Sequence, residues 1–198
     1  MTVDEQKEIA KEILKKLTIN VDSSAIIAGG APRNWEQNTL ARDVDIYFRT
    51  HVSNINRLLD LLFNDGTGGF QFIDTPDSTD VYMETLTFDI KRVITGRYKG
   101  VNFQFIIVEE KEPYIGNFSR KIIDSFLVNI SKLYVVYGEG IDVLLKIPNR
   151  EQFMDVQNST LTIETRKLSG VQLYKGVQHY LPKIQSYYPN HTVIFKES

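Results

Sequence analysis

The sequence AIIAGGAPRNWEQNTLARDVDIYF, residues 25–48, decides the fold of the chain. Its first four residues are apolar and end at Gly29-Gly30, a pattern typical of a buried strand that enters a tight turn. A helical turn is predicted around Trp35, and a second strand is predicted over residues 43–48. Strands and helices that alternate in this way indicate a mixed α/β fold.

Two features of this stretch point to chemistry. Gly29 and Gly30 lack Cβ atoms, so the backbone can turn sharply and its N–H groups can approach a phosphate. Asp43 and Asp45 lie two apart on the predicted strand, which places both carboxylates on one face, roughly 6.6–7 Å apart along the strand. Hard oxygen ligands favour Mg²⁺ or Mn²⁺. We therefore interpret Asp43 and Asp45 as candidate metal ligands beside a candidate triphosphate turn.

Each feature alone also has an ordinary structural interpretation. A Gly-Gly pair is most often a plain turn, and an Asp-x-Asp sequence on a strand is more often solvated than bound to metal. The combination is more specific, because Arg33 follows the glycines and nine residues separate it from Asp43. Two carboxylates on a strand whose other face carries Ile46 and Phe48 have an electrostatic cost, which cations would remove.

The pattern GGxxR, nine residues and DxD resembles the signature of the polymerase-beta nucleotidyltransferase superfamily. Its spacing is similar to that of the head domain of poly(A) polymerases and CCA-adding enzymes, and the segment also resembles small stand-alone nucleotidyltransferases of the phage type. The resemblance implies an α+β domain, with a nucleotidyltransferase-type mixed sheet flanked by helices and a C-terminal helical extension.

The same resemblance implies roles for individual residues. Asp43 and Asp45 would bind Mg²⁺ or Mn²⁺ and take part in catalysis, and the glycines would cradle a triphosphate. Asn34 stands where the CCA-adding pattern usually has an aspartate. Contacts with the nucleotide are implied for Gly29, Gly30, Arg33 and Asn34, with the acceptor as the alternative partner of Arg33.

A third catalytic carboxylate is expected on a later strand of such a fold, and the sequence does not identify it. Residues 101–108 offer Asn102 and Gln104 where many superfamily members have an acidic residue. We rank Asp89 first as the third catalytic residue because it enters the preceding predicted strand. Glu84, Glu109 and Asp124 are also candidates for this role.

The function implied is metal-dependent transfer of a nucleotidyl group from an NTP, ATP or CTP, to a hydroxyl group. An RNA 3′ end is the first expectation for the acceptor, followed by a protein side chain or a small molecule. A second hypothesis is a nucleotidyltransferase fold that has lost catalysis and acts as a nucleotide-binding or protein-binding inhibitor. Asn34 and the unidentified third carboxylate motivate that second hypothesis.

Composition limits the class of protein. With 198 residues and a formal net charge of −2, the chain suits one globular domain and does not suit electrostatic coating of nucleic acid. It has no cysteine, which excludes a thiolate metal site and a cysteine nucleophile. We expect one domain over residues 1–198, with a catalytic core at 1–110 and an extension at 111–198. The absence of an apolar run near 20 residues leads us to expect no membrane partner and a cytoplasmic protein, in the host cytoplasm if it is phage-encoded. No oligomeric state is indicated.

The remaining elements follow from hydrophobic periodicity. We predict an amphipathic helix over 3–17, a helix around 58–63, a long loop over 66–80 and a hairpin within 85–108. Beyond the hairpin we predict a helix over 119–126, apolar strands within 127–137 and 141–147, and a mostly helical C-terminal third.

Overall fold

The structure is a computed structural model that describes residues 1–51, 53, 55–64, 69–73, 88–110, 117–138, 141–146, 159–165 and 170–197. Its helices are α1 (Val3–Asn20), α2 (Gly30–Glu36), α3 (Ile55–Phe63), α4 (Phe118–Asp124), α5 (Gly170–Lys175) and α6 (Leu181–Tyr187). Its strands are β1 (Ile26–Ala28), β2 (Val44–Phe48), β3 (Gln71–Ile73), β4 (Phe88–Tyr98), β5 (Val101–Glu110), β6 (Tyr134–Gly138), β7 (Ile141–Lys146), β8 (Thr160–Glu164) and β9 (Thr192–Lys196). A 3-10 turn covers Asn129–Ser131, and a π-helical turn, Gly176–Tyr180, joins α5 to α6.

Seven strands form one mixed sheet in the order β3-β4-β5-β2-β1-β6-β7. Strands β2 and β5 pair in parallel, and the remaining neighbours in this sheet pair antiparallel. The predicted mixed α/β fold, with a mixed sheet and flanking helices, is confirmed. Because β2 lies between β1 and β5, its side chains are surrounded by strands on both sides.

The two faces of the sheet follow from the alternation of side chains along β2. Val44, Ile46 and Phe48 belong to the larger core cluster, together with the buried face of α1. Tyr47 belongs to a second cluster on the opposite face, beside α4. Because successive side chains point to opposite faces, Asp43 and Asp45 lie on the same side as Tyr47.

Helix α1 begins at a capping box, in which Thr2 and Glu5 satisfy each other's backbone N–H groups. Its buried Gln6 joins three parts of the chain, because Gln6 accepts from the Trp35 indole and from the backbone N–H of Ala41. The same side chain donates to the Ala41 carbonyl. Gln6 therefore fixes α2 and the segment that leads into β2 against α1.

The hairpin prediction is confirmed by β4 and β5, which turn at Lys99-Gly100. Gly96 lies inside β4, where a methyl group would clash with the Phe70 ring. The loop predicted over 66–80 is corrected in part, because residues 71–73 form β3 at the sheet edge. Residues 65–68 and 74–80 of that loop lie outside the described residues.

The C-terminal third contains two strands that the helical prediction did not include. Strands β8 and β9 pair in parallel as a separate two-stranded sheet. Its apolar side chains, with Leu181 and Ile184 of α6, form a third core cluster against residues 127–130. No helix among the described residues combines the length and apolarity that crossing a lipid bilayer requires.

Candidate functional site

A cleft of about 340 Å³ lies over the face of the sheet that carries Asp43 and Asp45. It is lined by α2 and the turn into it, by residues 40–43 before β2, by the strands β2, β4 and β5, by the segment that follows α4, and by α6 with the π-helical turn before it. Its polar and aromatic lining includes Gly29, Gly30, Arg33, Asn34, Arg42, Asp43, Asp45, Tyr47, Gln104, Ser125, Ser131, Tyr180, Lys183 and Tyr187. The volume is within the range of small-molecule sites.

Gly29 connects the end of β1 to the first turn of α2. Its φ of 88° and ψ of −120° form a backbone conformation that L side chains rarely adopt. Its N–H donates to the carbonyl of Leu133, 3.3 Å away. A methyl group at Gly29 would lie 3.7 Å from Oδ2 of Asp45, so this turn passes directly beside the carboxylate.

We expect Gly29→Ala to destabilise the protein by about 1–3 kcal/mol, because it places a Cβ in a strained backbone region. Gly30→Ala is the matched control: its methyl group would make only an ordinary 3.7 Å contact with Nη2 of Arg33. We expect that control to change the free energy of unfolding by less than about 0.5 kcal/mol. Urea unfolding of both variants measures the difference, and equal losses would contradict the assignment of strain to Gly29.

The two aspartates differ in their surroundings. Asp43 accepts from Arg42, whose Nη2 and Nε lie 2.7 and 3.1 Å from Oδ2. The Asp45 side chain is partly exposed to the cleft, but its Oδ1 is buried and has no hydrogen-bond partner among the described residues. Burial, and then the neighbouring Asp43 carboxylate, raise the pKa of Asp45 to about 7, although Lys183, Arg42 and Arg33 act in the opposite direction. The site therefore contains a buried acceptor oxygen, Oδ1 of Asp45, which a bound cation or a hydrogen-bond donor would stabilise.

Asp22, a second buried aspartate, provides a comparison because its carboxylate is held by hydrogen bonds within the fold. Asp22 is 8% exposed and accepts from the backbone N–H and guanidinium of Arg49 and from Ser24. Burial alone would raise its pKa, but those hydrogen bonds outweigh the effect and the pKa of Asp22 is lowered. Asp45 has no such donors at its buried Oδ1 among the described residues, and its pKa is raised instead.

The predicted nucleotide contacts Arg33 and Asn34 lie at the same cleft. The Asn34 side chain accepts from Nε of Arg33 and donates to the Leu40 carbonyl, so it shapes the loop and orients the arginine. The Arg33 guanidinium lies 5.9 Å from the ring centroid of Tyr187. The structure therefore brings together six of the predicted residues: Gly29, Gly30, Arg33, Asn34, Asp43 and Asp45.

Helix α6 and the turn before it contribute residues that the sequence did not indicate as functional. Lys183 and Tyr187 of α6 line the cleft with Tyr180, whose pKa is raised by burial and by the two carboxylates. Gly176 permits this approach, because a methyl group there would lie 2.6 Å from Leu127. These cleft residues lie over 130 positions beyond Asp45, and the only signal in the sequence is their spacing on one helical face.

Asp89 is not brought to the site, contrary to its ranking as the third catalytic residue. It pairs with Glu109, whereas Asp45 pairs with Gln104, so the two lie five residues, roughly 17 Å, apart along β5. Its neighbours Phe88 and Ile90 line the cleft, and Asp89 points to the opposite face. There Lys91 lies 3.9 Å from Asp89 and 2.6 Å from Glu109.

Glu109 and Asp124, also candidates for a third carboxylate, do not reach the cleft either. Glu109 lies with Asp89, and Asp124 accepts from Nε of Arg120 at 2.9 Å. Glu84 lies outside the described residues. The parts of the chain that the structure describes contain no group of three acidic, histidine or cysteine side chains that could hold a metal. Two carboxylates are therefore the acidic groups that the described residues place at this site.

Solved structures of CCA-adding and tRNA-processing enzymes share this fold. One, a CCA-adding enzyme with CTP, matches 98% of this chain and 43% of its own with a TM-score of 0.62 and 12% sequence identity. A tRNA-processing enzyme in an apo form matches 98% of this chain and 44% of its own, with a TM-score of 0.60 and 13% identity. The Thermotoga maritima CCA-adding enzyme complexed with tRNA matches all of this chain and 43% of its own, with a TM-score of 0.60 and 11% identity.

These likenesses show that the chain has the nucleotidyltransferase-type fold. The chain spans less than half of the length of each of these enzymes. No family model matches the sequence, and no curated protein matches it at a significant level.

Proposed function

We propose that the protein binds an NTP together with a divalent cation in this cleft and transfers its nucleotidyl group to a hydroxyl acceptor. The observation that carries the proposal is Oδ1 of Asp45, a buried carboxylate oxygen with no hydrogen-bond partner among the described residues, in a side chain that lines the cleft beside Asp43. Arg33, Arg42 and Lys183 surround the two carboxylates. The three positively charged side chains suit the negative charges of a polyanionic ligand, and the two carboxylates suit a metal ion that this ligand carries.

The donor set fits Mg²⁺ or Mn²⁺. Asp43, the residue before β2, and Asp45 of β2 supply carboxylate oxygens to the same cleft. Asp45, whose ionised form is disfavoured by burial, would gain a charge partner. When bound, such ions lower the pKa of an attacking hydroxyl group and neutralise charge on the phosphates. The Gly29-Gly30 turn beside Asp45 leaves room for a phosphate to approach the backbone.

The charged residues of the cleft have different roles in the proposed reaction. Arg33 and Lys183 bind the triphosphate, and the two aspartates would hold the cation that keeps its α-phosphorus towards the acceptor hydroxyl. The acceptor hydroxyl gives its proton to water, and its oxygen forms a bond to the α-phosphorus as the bond from that phosphorus to the bridging oxygen of the β-phosphate breaks, so that pyrophosphate leaves with the bridging oxygen. The structural neighbours solved with CTP, ATP or tRNA support an NTP as donor and an RNA 3′ end as acceptor.

Incubation with NTPs, Mg²⁺ or Mn²⁺ and a pool of RNA tests this proposal. We expect an α-labelled NTP to transfer its label to RNA, and a γ-labelled NTP to release its label as pyrophosphate without labelling RNA. Protein and small-molecule pools, run in parallel, identify the acceptor class. Binding of NTP without label transfer to any pool would contradict the enzymatic part of the proposal and favour a nucleotide-binding protein.

Lys183 provides a test of the role of α6. We expect Lys183→Ala to weaken NTP binding about tenfold, because a charge-assisted phosphate contact contributes about 1.5 kcal/mol. Lys175→Ala is the matched control, since it removes an exposed lysine from α5 outside the cleft. Equilibrium binding of a fluorescent NTP measures both affinities. An undiminished affinity for Lys183→Ala would place the triphosphate away from α6.

A further inference from the structure

The strand beside Asp45 supplies a third oxygen-bearing side chain to the cleft. In the parallel pairing of β2 with β5, Gln104 is the partner of Asp45. Neighbouring strands are about 4.8 Å apart and paired residues project to the same face, so the side chains of Gln104 and Asp45 leave the sheet next to each other on the cleft side. Both residues line the cleft.

No further strand neighbour among the described residues offers Asp45 an oxygen ligand. On the β1 side, continuing the antiparallel pairing Ile27↔Ile46 places Ala28 beside Asp45, and alanine has no side-chain oxygen. Two residues earlier on β5, the Asn102 amide donates to the Arg42 carbonyl. Gln104 is thus the neighbour placed to complete a ligand set with Asp43 and Asp45.

Transfer of phosphoryl and nucleotidyl groups is commonly assisted by a pair of divalent ions, one at the attacking oxygen and one at the leaving oxygen. We propose that Gln104 is the third protein ligand of such a cation site here, and that its neutral amide leaves the affinity for the second divalent cation low. This inference rests on the proposed function. An amide oxygen is an acceptable ligand for Mg²⁺ or Mn²⁺, but it adds no negative charge to the two carboxylates. Because ligand charge tunes the affinity of such sites, two carboxylates and one amide hold a pair of divalent ions less tightly than three carboxylates would. The site therefore requires a high concentration of free cation for its second ion.

Mn²⁺ binding to three variants tests this assignment without measuring activity. Electron paramagnetic resonance counts free Mn²⁺ during titrations with and without an α,β-methylene NTP. We expect Gln104→Glu to raise the affinity for the more weakly bound Mn²⁺ ion at least tenfold in both titrations. Gln104→Met keeps the length of the side chain and removes its oxygen, so we expect it to lower the affinity for that Mn²⁺ ion severalfold. Gln37→Glu makes the same chemical change outside the cleft lining and should bind Mn²⁺ as the wild type does.

The titrations distinguish a failure of the Gln104 assignment from a failure of the proposed function. If Gln104→Glu binds Mn²⁺ no more tightly than Gln37→Glu, or if Gln104→Met binds it as the wild type does, the role of Gln104 is overturned. If the wild type binds no Mn²⁺–nucleotide complex, the proposed function fails. In that case the titrations without nucleotide still decide whether Gln104 belongs to a cation site. Circular dichroism and melting temperature verify that each variant is folded.

Discussion

Replacing both cleft aspartates, by Asp43→Asn with Asp45→Asn, is expected to reduce nucleotidyl transfer by at least about 10³-fold. The two carboxylates are the acidic groups that the described residues place at the cleft, and amides in their place would hold the cation and the triphosphate poorly. The same change should abolish stabilisation by Mg²⁺ and NTP. At a hundredfold excess over Kd, that stabilisation is about 2.7 kcal/mol in the wild type.

Asp89→Asn is the matched control for this experiment. Asp89 lies on the opposite face of the sheet, beside Lys91 and Glu109, so its replacement should leave transfer within about twofold of the wild type. Rates of label transfer and melting temperatures with and without Mg²⁺ and NTP provide the measurements. A loss for Asp89→Asn comparable to that of the double variant would mean that the position of Asp89 in β4 does not describe the active protein.

Asp45→Asn alone should stabilise the metal-free protein at pH 8 by up to about 4 kcal/mol. Burial and the Asp43 carboxylate raise the pKa of Asp45 from its ordinary value of 3.8 to about 7, and each tenfold change in proton affinity corresponds to about 1.4 kcal/mol. The folded protein holds this proton to a higher pH than the unfolded chain does. The carboxyl group therefore lowers the free energy of unfolding as the pH rises from about 4 to about 7.

Urea unfolding in the presence of a chelator, at a series of pH values, measures this effect. The variant and the wild type should have the same stability below about pH 4, and the difference should grow to its full size above about pH 7. A difference that is constant with pH would show that packing or hydrogen bonding of the asparagine, rather than ionisation of Asp45, causes it. A variant less stable than the wild type at pH 8 would contradict the absence of a hydrogen-bond partner at Oδ1.

The part of the site that comprises the glycine turn and the two aspartates could be predicted from the sequence. Its geometry is determined within the 21 residues 25–45. Two glycines after a short strand predict the turn, and period-two alternation places Asp43 and Asp45 on one face of β2. Helices α1 and α3, the hairpin and the mixed sheet also follow from local hydrophobic patterns. The paired aspartates therefore reach the cleft as the pattern indicates.

The distant part of the site depends on strand pairing and packing, which local patterns do not specify. Asp89 and Phe88 are adjacent in β4, and one position of alternation decides which of them faces the cleft. The sequence offers both Asn102 and Gln104 on this strand, and only the pairing of β2 with β5 shows that Gln104 is the partner of Asp45. Helix α6 reaches the cleft because it packs on the segment after α4, a contact between residues more than 50 positions apart. The parallel pair of β8 and β9 escapes local prediction for the same reason.

A crystal of the protein grown with Mn²⁺ and an α,β-methylene NTP would test the central claim most directly. Anomalous scattering at the manganese edge locates the ion without any assumption about the reaction. We expect a manganese peak in contact with the carboxylates of Asp43 and Asp45, with the triphosphate against the Gly29-Gly30 turn. A triphosphate and manganese bound elsewhere, or a cleft that stays empty at saturating ligand, would contradict the proposed function.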